Sequence, residues 1–344
     1  MPNEPHRAAF KHHSQTWQQL SLQQQQQFLW FGIVAPATAF SPLLMARLWQ
    51  VSPEVAAQDL EGFTALALLQ RQPAPLPRYL IPQTTHTFAY GLWQRSQPFS
   101  PHPPEALPAP SIAQAHAVVL HQYWAAATET QWHPLFEDGY IFACLLWHIE
   151  HSGRDDILFD LLQATTPSGE NVWLSLCDRG DQLEAYVASL AHAQRIAPSL
   201  FEHSPHRAII LQCRSALLQA TIAHVFQSLS PNWWGALVKA QIWSLSRALT
   251  GLDLLADPSQ KAIAIESLVP IVPASFIPVL WTRIVCMQSE VAQVAGIHAI
   301  APYLNTELLE SALTVTSALT DEHRQSQALH ALIPYLPEGL TAQA

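Results

Sequence analysis

The chain has 344 residues, 49% hydrophobic and only 12% charged, which excludes a disordered protein and leaves room for two or three domains of roughly 100–200 residues each. Its net charge of −10, with three lysines (Lys11, Lys239 and Lys261) and no basic run, argues against binding to a phosphate backbone. Four cysteines (Cys144, Cys177, Cys213 and Cys286) stand far apart without a CxxC, so neither zinc spacing nor a disulfide framework is present, and they read as small buried hydrophobes.

The first residues, MPNEPHRAAFKHH, do not read as a signal peptide. The longest apolar stretches, residues 28–40 and 268–281, are short and interrupted by proline, so a soluble cytoplasmic chain is expected. The first clear helix starts at Ser21, where Ser21 and Gln24 form a capping-box pattern ahead of a glutamine run. A second helix is predicted over 41–49, with Ser41 as N-cap and Pro42 as N1, and a third over 53–64 behind Ser52 and Pro53. Two apolar runs, 65–71 and 78–81, flank a proline-rich turn and predict a β-hairpin, and a helix over 84–95 follows. Helix, helix, helix, hairpin is the order of a winged helix.

Residues 96–110 hold six prolines (Pro98, Pro101, Pro103, Pro104, Pro108 and Pro110) and read as a stiff linker; a PxxP ligand is the alternative. Three or four helices are expected between 111 and 197. Beyond Pro205 an internal repeat is visible: Pro270, Pro302 and Pro334 recur every 32 residues, with Ile265/Ile297/Leu329 and Leu268/Ile300/Leu332 in the same register. That period, carrying two apolar helical stripes, is the signature of an α-solenoid, and Pro231-Asn232-Trp233-Trp234 opens an earlier, longer repeat. The fold class is therefore all-α with a minor β-hairpin. The parts are a winged-helix-like domain (15–95), a linker (96–110), a helical domain (111–200) and HEAT/armadillo-like helical repeats (205–344). Few residues follow the last repeat, so its end is expected to be uncapped and adhesive.

The segments FLWFGIVAP (28–36), Leu48-Trp49, 66–71 and 78–81 resemble the winged-helix domain of STAND-type signalling ATPases, a family that includes bacterial relatives of the apoptotic protease-activating factor and plant NB-ARC receptors. HQYW (121–124), Trp132, EDGYI (137–141), LLWH (145–148) and SGRDD (152–156) resemble the helical domain that follows it. The resemblance covers roughly residues 15–195 and implies a regulatory switch, but the ATPase core is missing: no Gly-x-x-x-x-Gly-Lys-Ser/Thr occurs and no lysine follows a glycine. The family's nucleotide-contacting Met-His-Asp-like triplet falls on Ile81, Pro82 and Gln83, and proline offers no side-chain donor and no N–H. The resemblance thus implies a module without nucleotide or other cofactor. It would serve as a sensor that binds a protein partner, such as a separate ATPase or effector chain, or associates with itself.

Seventeen histidines raise the question of a metal, and His148 and His151 share a helical face, but no third ligand accompanies them. No Gly-x-Ser-x-Gly or nucleophile context points to a hydrolase, and the adjacent Glu137 and Asp138 read as a helix start rather than an acid–base pair. Twelve tryptophans offer docking side chains: Trp132, Trp233 and Trp234, with Tyr140, are the interaction candidates, one ring of the adjacent pair being expected inside and one at the surface. DNA reading is disfavoured by Glu54, Asp59 and Glu61 against the single Arg47. The expected function is a non-catalytic scaffold. An enzyme with an unrecognised metal-dependent site, or an acidic winged-helix DNA regulator, remains the alternative.

Overall fold

The structure, a computed structural model, describes residues 4–73, 76–95, 111–126, 139–166 and 168–337. The expected linker at 96–110, Trp132, Glu137 and Asp138 lie outside the described residues. The chain divides into two compact units, Met1–Glu202 and His203–Ala344. Among the described residues, eighteen α-helices and one two-stranded hairpin make the fold all-α with a minor β element.

In the first unit, α1 (Glu4–Gln19) precedes α2 (Leu22–Leu29), a 3₁₀ turn (Trp30–Gly32), α3 (Pro42–Trp49), α4 (Pro53–Ala65), β1 (Gln70–Gln72), β2 (Arg78–Leu80) and α5 (Gln83–Arg95). Helix α1 is not among the predicted elements, because its apolar positions are few and its packing partner, α5, lies some 70 residues away (His13 Nε2 to Thr84 Oγ1, 3.3 Å). The capping box at Ser21 forms in both directions, and Ser52 Oγ accepts the Val55 amide. The hairpin is shorter than the apolar runs predict. Ala65 still belongs to α4, Ala67 turns the chain through a left-handed φ of 58°, and Leu68 and Leu69 are buried before pairing begins at Gln70. Phe40 adds a bridge to the edge, exchanging both backbone hydrogen bonds with Tyr79 at 2.9 Å. This part of the chain runs helix, bridge, helix, helix, hairpin. Its core is a cluster of Phe28, Phe31 and Phe63 with Phe88 of α5, edge-packed at centroid distances of 5.1–6.3 Å. Gly32 lets the 3₁₀ turn lie directly on α5, where a methyl would collide with the Ala89–Tyr90 backbone.

Five helices follow where the sequence predicts three or four: α6 (Ile112–Ala126), α7 (Tyr140–Ser152), α8 (Asp155–Gln163), α9 (Val172–Arg179) and α10 (Leu183–Leu200). Gly153 and Asn171 shape two of the connections between them. Gly153 ends α7 in the left-handed conformation (φ 67°). Asn171 ties α8 to α9: its Nδ2 donates to the carbonyls of Leu161, Leu162 and Ala164 while its Oδ1 caps the Leu174 amide. These helices belong to one unit with the elements that precede them, joined to them by the Arg47 guanidinium over the Tyr123 ring (5.2 Å) and by Tyr140.

The second unit comprises α11 (Pro205–Ser228), a 3₁₀ turn (Pro231–Trp233) running into α12 (Trp234–Lys239), and six further helices: α13 (Leu245–Leu254), α14 (Pro258–Leu268), α15 (Ile277–Val285), α16 (Glu290–Ile300), α17 (Thr306–Ser317) and α18 (Glu322–Leu332). Starts at 258, 290 and 322 keep the 32-residue period, and α14, α16 and α18 stack in one row, with α12 ahead of α14. A clamp repeats with the same period. Gln293 Nε2 donates to the Val285 and Met287 carbonyls (3.0 and 2.8 Å), and Gln325 Nε2 to those of Ser317 and Leu319 (3.1 and 2.9 Å). At the positions where α16 carries Val291, Val294 and Ala295, α18 carries His323, Ser326 and Gln327. Among the described residues one helix, α11, is long and apolar enough to cross a membrane; only 22% of that stretch is buried, and Gln212, Arg214 and Gln219 interrupt it.

Candidate functional site: a buried histidine–tyrosine chain

Helix α7 is entered through Gly139, whose φ of 68° suits glycine, and the face it buries carries Tyr140, Cys144, Leu145 and His148. Antiparallel packing of α6 on α7 sets His116 opposite His148, and both rings are fully buried. The Ala35 amide donates to Tyr140 Oη (2.8 Å), Tyr140 Oη lies 2.8 Å from His148 Nε2, and His148 Nδ1 lies 2.9 Å from His116 Nδ1. Around this line stand His151, whose ring centroid is 4.9 Å from that of His116, and Trp147, 3.8 Å from His151. His86 of α5 lies close by and donates from Nε2 to the Val34 carbonyl (3.0 Å).

The two facing Nδ1 atoms cannot both carry hydrogen, so one imidazole donates and the other accepts. If Tyr140 donates to His148 Nε2, then His148 Nδ1–H donates to His116; the reverse polarity runs the other way. Both polarities end at His116 Nε2, which has no hydrogen-bond partner among the described residues, as does the nearby Trp147 Nε1. Both leave the pair neutral. Burial is the main cause that takes His116 down to about 3, with His151 and His86 adding to it. His148 is held well below the ordinary range by burial and then by His116 and His151. His86 is lowered by burial against the opposing pull of the Val34 carbonyl.

His148 and His151, the weighed metal pair, do not converge: His148 turns to His116 and Tyr140, while His151 Nδ1 donates to the Trp147 carbonyl (2.8 Å). Among the described residues no three His, Cys, Asp or Glu side chains are grouped to hold a metal. Ile81 is buried, the Pro82 carbonyl accepts the His86 amide (2.9 Å), and Gln83 opens α5. Tyr140 and Trp234, expected as docking side chains, are both interior. Tyr140 is consumed by the chain of hydrogen bonds, and Trp234 packs on Phe226 and Trp243 at 5.8 and 5.3 Å. Trp233 is 62% exposed, and Cys213 and Cys286 are exposed rather than buried. His116 is absent from the sequence reading because its partner lies 32 residues away with no motif between them. No family model, curated protein or solved structure matches the chain.

Proposed function

We propose that the chain is a non-catalytic regulatory scaffold whose helical repeats bind a protein partner, and that its plan is that of the C-terminal half of a STAND-type switch without a nucleotide-binding core. The observation that carries this reading is the repeat row itself. Its interior columns are filled by Ile265, Ile297 and Leu332, while its outward positions hold large apolar side chains: Val291 at 56% exposure, Tyr303 at 45% and Ile333 at 52%. Regularly stacked hairpins with exposed aromatic and aliphatic positions are a surface for docking, and tyrosine and tryptophan anchors dominate such interfaces. Trp233 lies on the turn that leads into the same row. In the first unit the titratable groups of the histidine–tyrosine chain are sealed inside, in keeping with a structural joint. Helix α4 exposes Glu54 and Glu61 and has no basic residue, which weighs against duplex DNA. The reading includes a cytoplasmic location and no cofactor.

The test is an affinity capture of the full chain from native lysate, run beside a Trp233→Ser/Tyr303→Ser/Tyr335→Ser variant. A stoichiometric partner that the variant loses is the expected outcome. A partner retained by the variant removes the repeat row as the docking face, and recovery of the chain alone removes the scaffold reading.

A further inference from the structure

The 32-residue register fails at one chemically distinctive place. Gln293 and Gln325 occupy equivalent positions and each clamps two backbone carbonyls, but the equivalent residue in the preceding repeat is Lys261. No ion pair or hydrogen bond holds its ammonium among the described residues. Beside it opens a cavity of about 400 Å³, between the turn after α13 and the turn after α15. Its apolar lining is Ala256, Pro258 and Cys286, which keep accessible surface, over the buried Leu252, Leu255, Ile265 and Met287. The charged part is Asp253, Lys261 and Arg283, and the first and last neutralise each other: Arg283 Nε and Nη2 meet the two Asp253 carboxylate oxygens at 2.9 and 2.7 Å. Two cations against one carboxylate leave a single positive charge, on Lys261.

We infer that this cavity is a binding site for a small carboxylate with an apolar body, its head on the Lys261 ammonium and its body against Ala256, Pro258 and Cys286. The volume lies within the range of small-molecule sites, which combine an apolar lining with a few placed polar groups. A net charge of one suits a carboxylate better than a phosphate, which carries close to two at neutral pH. Neither Asp253 nor Arg283 has a counterpart in the next repeat, where Val285 and Val315 stand, so the polar set belongs to this position rather than to the repeat.

The experiment uses the full chain and four probes: octanoate and benzoate as carboxylates, octanol as an uncharged body, and inorganic phosphate as a bare anion. Binding is read by calorimetry and by the alkylation rate of exposed Cys286 at the cavity rim, in a Cys213→Ser background. At least one carboxylate is expected to bind saturably and slow the alkylation, and Lys261→Gln is expected to weaken it about tenfold or more. Because glutamine restores the clamp seen in the next two repeats, that variant should melt no lower than the wild type, which separates lost binding from lost folding. Binding of octanol as tight as octanoate, phosphate binding that octanoate does not exceed, or no binding by either carboxylate each overturns the inference.

Discussion

Lowering the pH from 7.5 to 5.5 should loosen the first unit by at least the amount that two side chains supply. His116 and His148 are neutral when folded, since burial holds both below the ordinary histidine range, and in the unfolded chain each titrates near 6.5. The unfolded state therefore binds more protons as pH falls through 6.5, so the stabilisation is complete above that value and drains away below it, towards about 3 for His116. Between pH 7.5 and 5.5 each histidine forfeits about 1.4 kcal/mol, and the pair about 2.7 kcal/mol. His13 and His86, also lowered chiefly by burial, act in the same direction within this window and add to the loss, whereas Glu54 and Glu290, lowered chiefly by hydrogen bonds from Ser52 and Thr320, act only as pH approaches 4.5. The assay is hydrogen exchange of the Ala35 amide and the α7 amides, corrected for intrinsic rates. Opening should become at least about a hundredfold more frequent over the two pH units, and a His116→Phe variant should lose about 1.4 kcal/mol of that change in free energy. An opening free energy that stays level from 7.5 to 5.5 would refute a neutral buried pair.

Other substitutions test other joints. Tyr140→Phe leaves the Ala35 amide unpaired in the interior and should cost about 1–3 kcal/mol by urea denaturation, with no change in secondary structure. Asn171→Asp keeps the cap on Leu174 but faces three carbonyls with a carboxylate, so it should destabilise by more than Asn171→Ala, whose cost is set by the lost cap at about 1 kcal/mol plus the orphaned carbonyls. Gly235→Ala drives a methyl into the Ser267 carbonyl where α12 stacks on α14, and should lower the melting temperature of the second unit by an overpacking penalty of about 1–3 kcal/mol. Trp233→Ser should move stability by no more than about 0.5 kcal/mol, because its ring lies mostly in solvent.

What the sequence discloses and what it withholds divide along contact range. Caps at Ser21 and Ser52, prolines opening α3 and α4, and the 32-residue register are local or periodic signals, and the structure carries each of them. Ser41 shows the limit even there: it precedes α3 as predicted, yet its hydroxyl makes no capping bond and is buried without a partner. The site is a long-range object. Tyr140 meets Ala35 across 105 residues and His148 meets His116 across 32, and a single sequence carries no pattern for either pairing. Tyr140 therefore reads as a surface aromatic, and His148 as half of a possible metal pair. Lys261 lies between these cases: once the register is laid out, its departure from Gln293 and Gln325 is visible, but only the cavity beside it gives that departure a chemical meaning.

The two glutamine clamps place the fastening of each turn on the helix that follows it: Gln293 of α16 holds the end of α15, and Gln325 of α18 holds the end of α17. A helix pair in this row therefore carries its own latch, and a block of residues moved or duplicated as a pair would bring the latch with it.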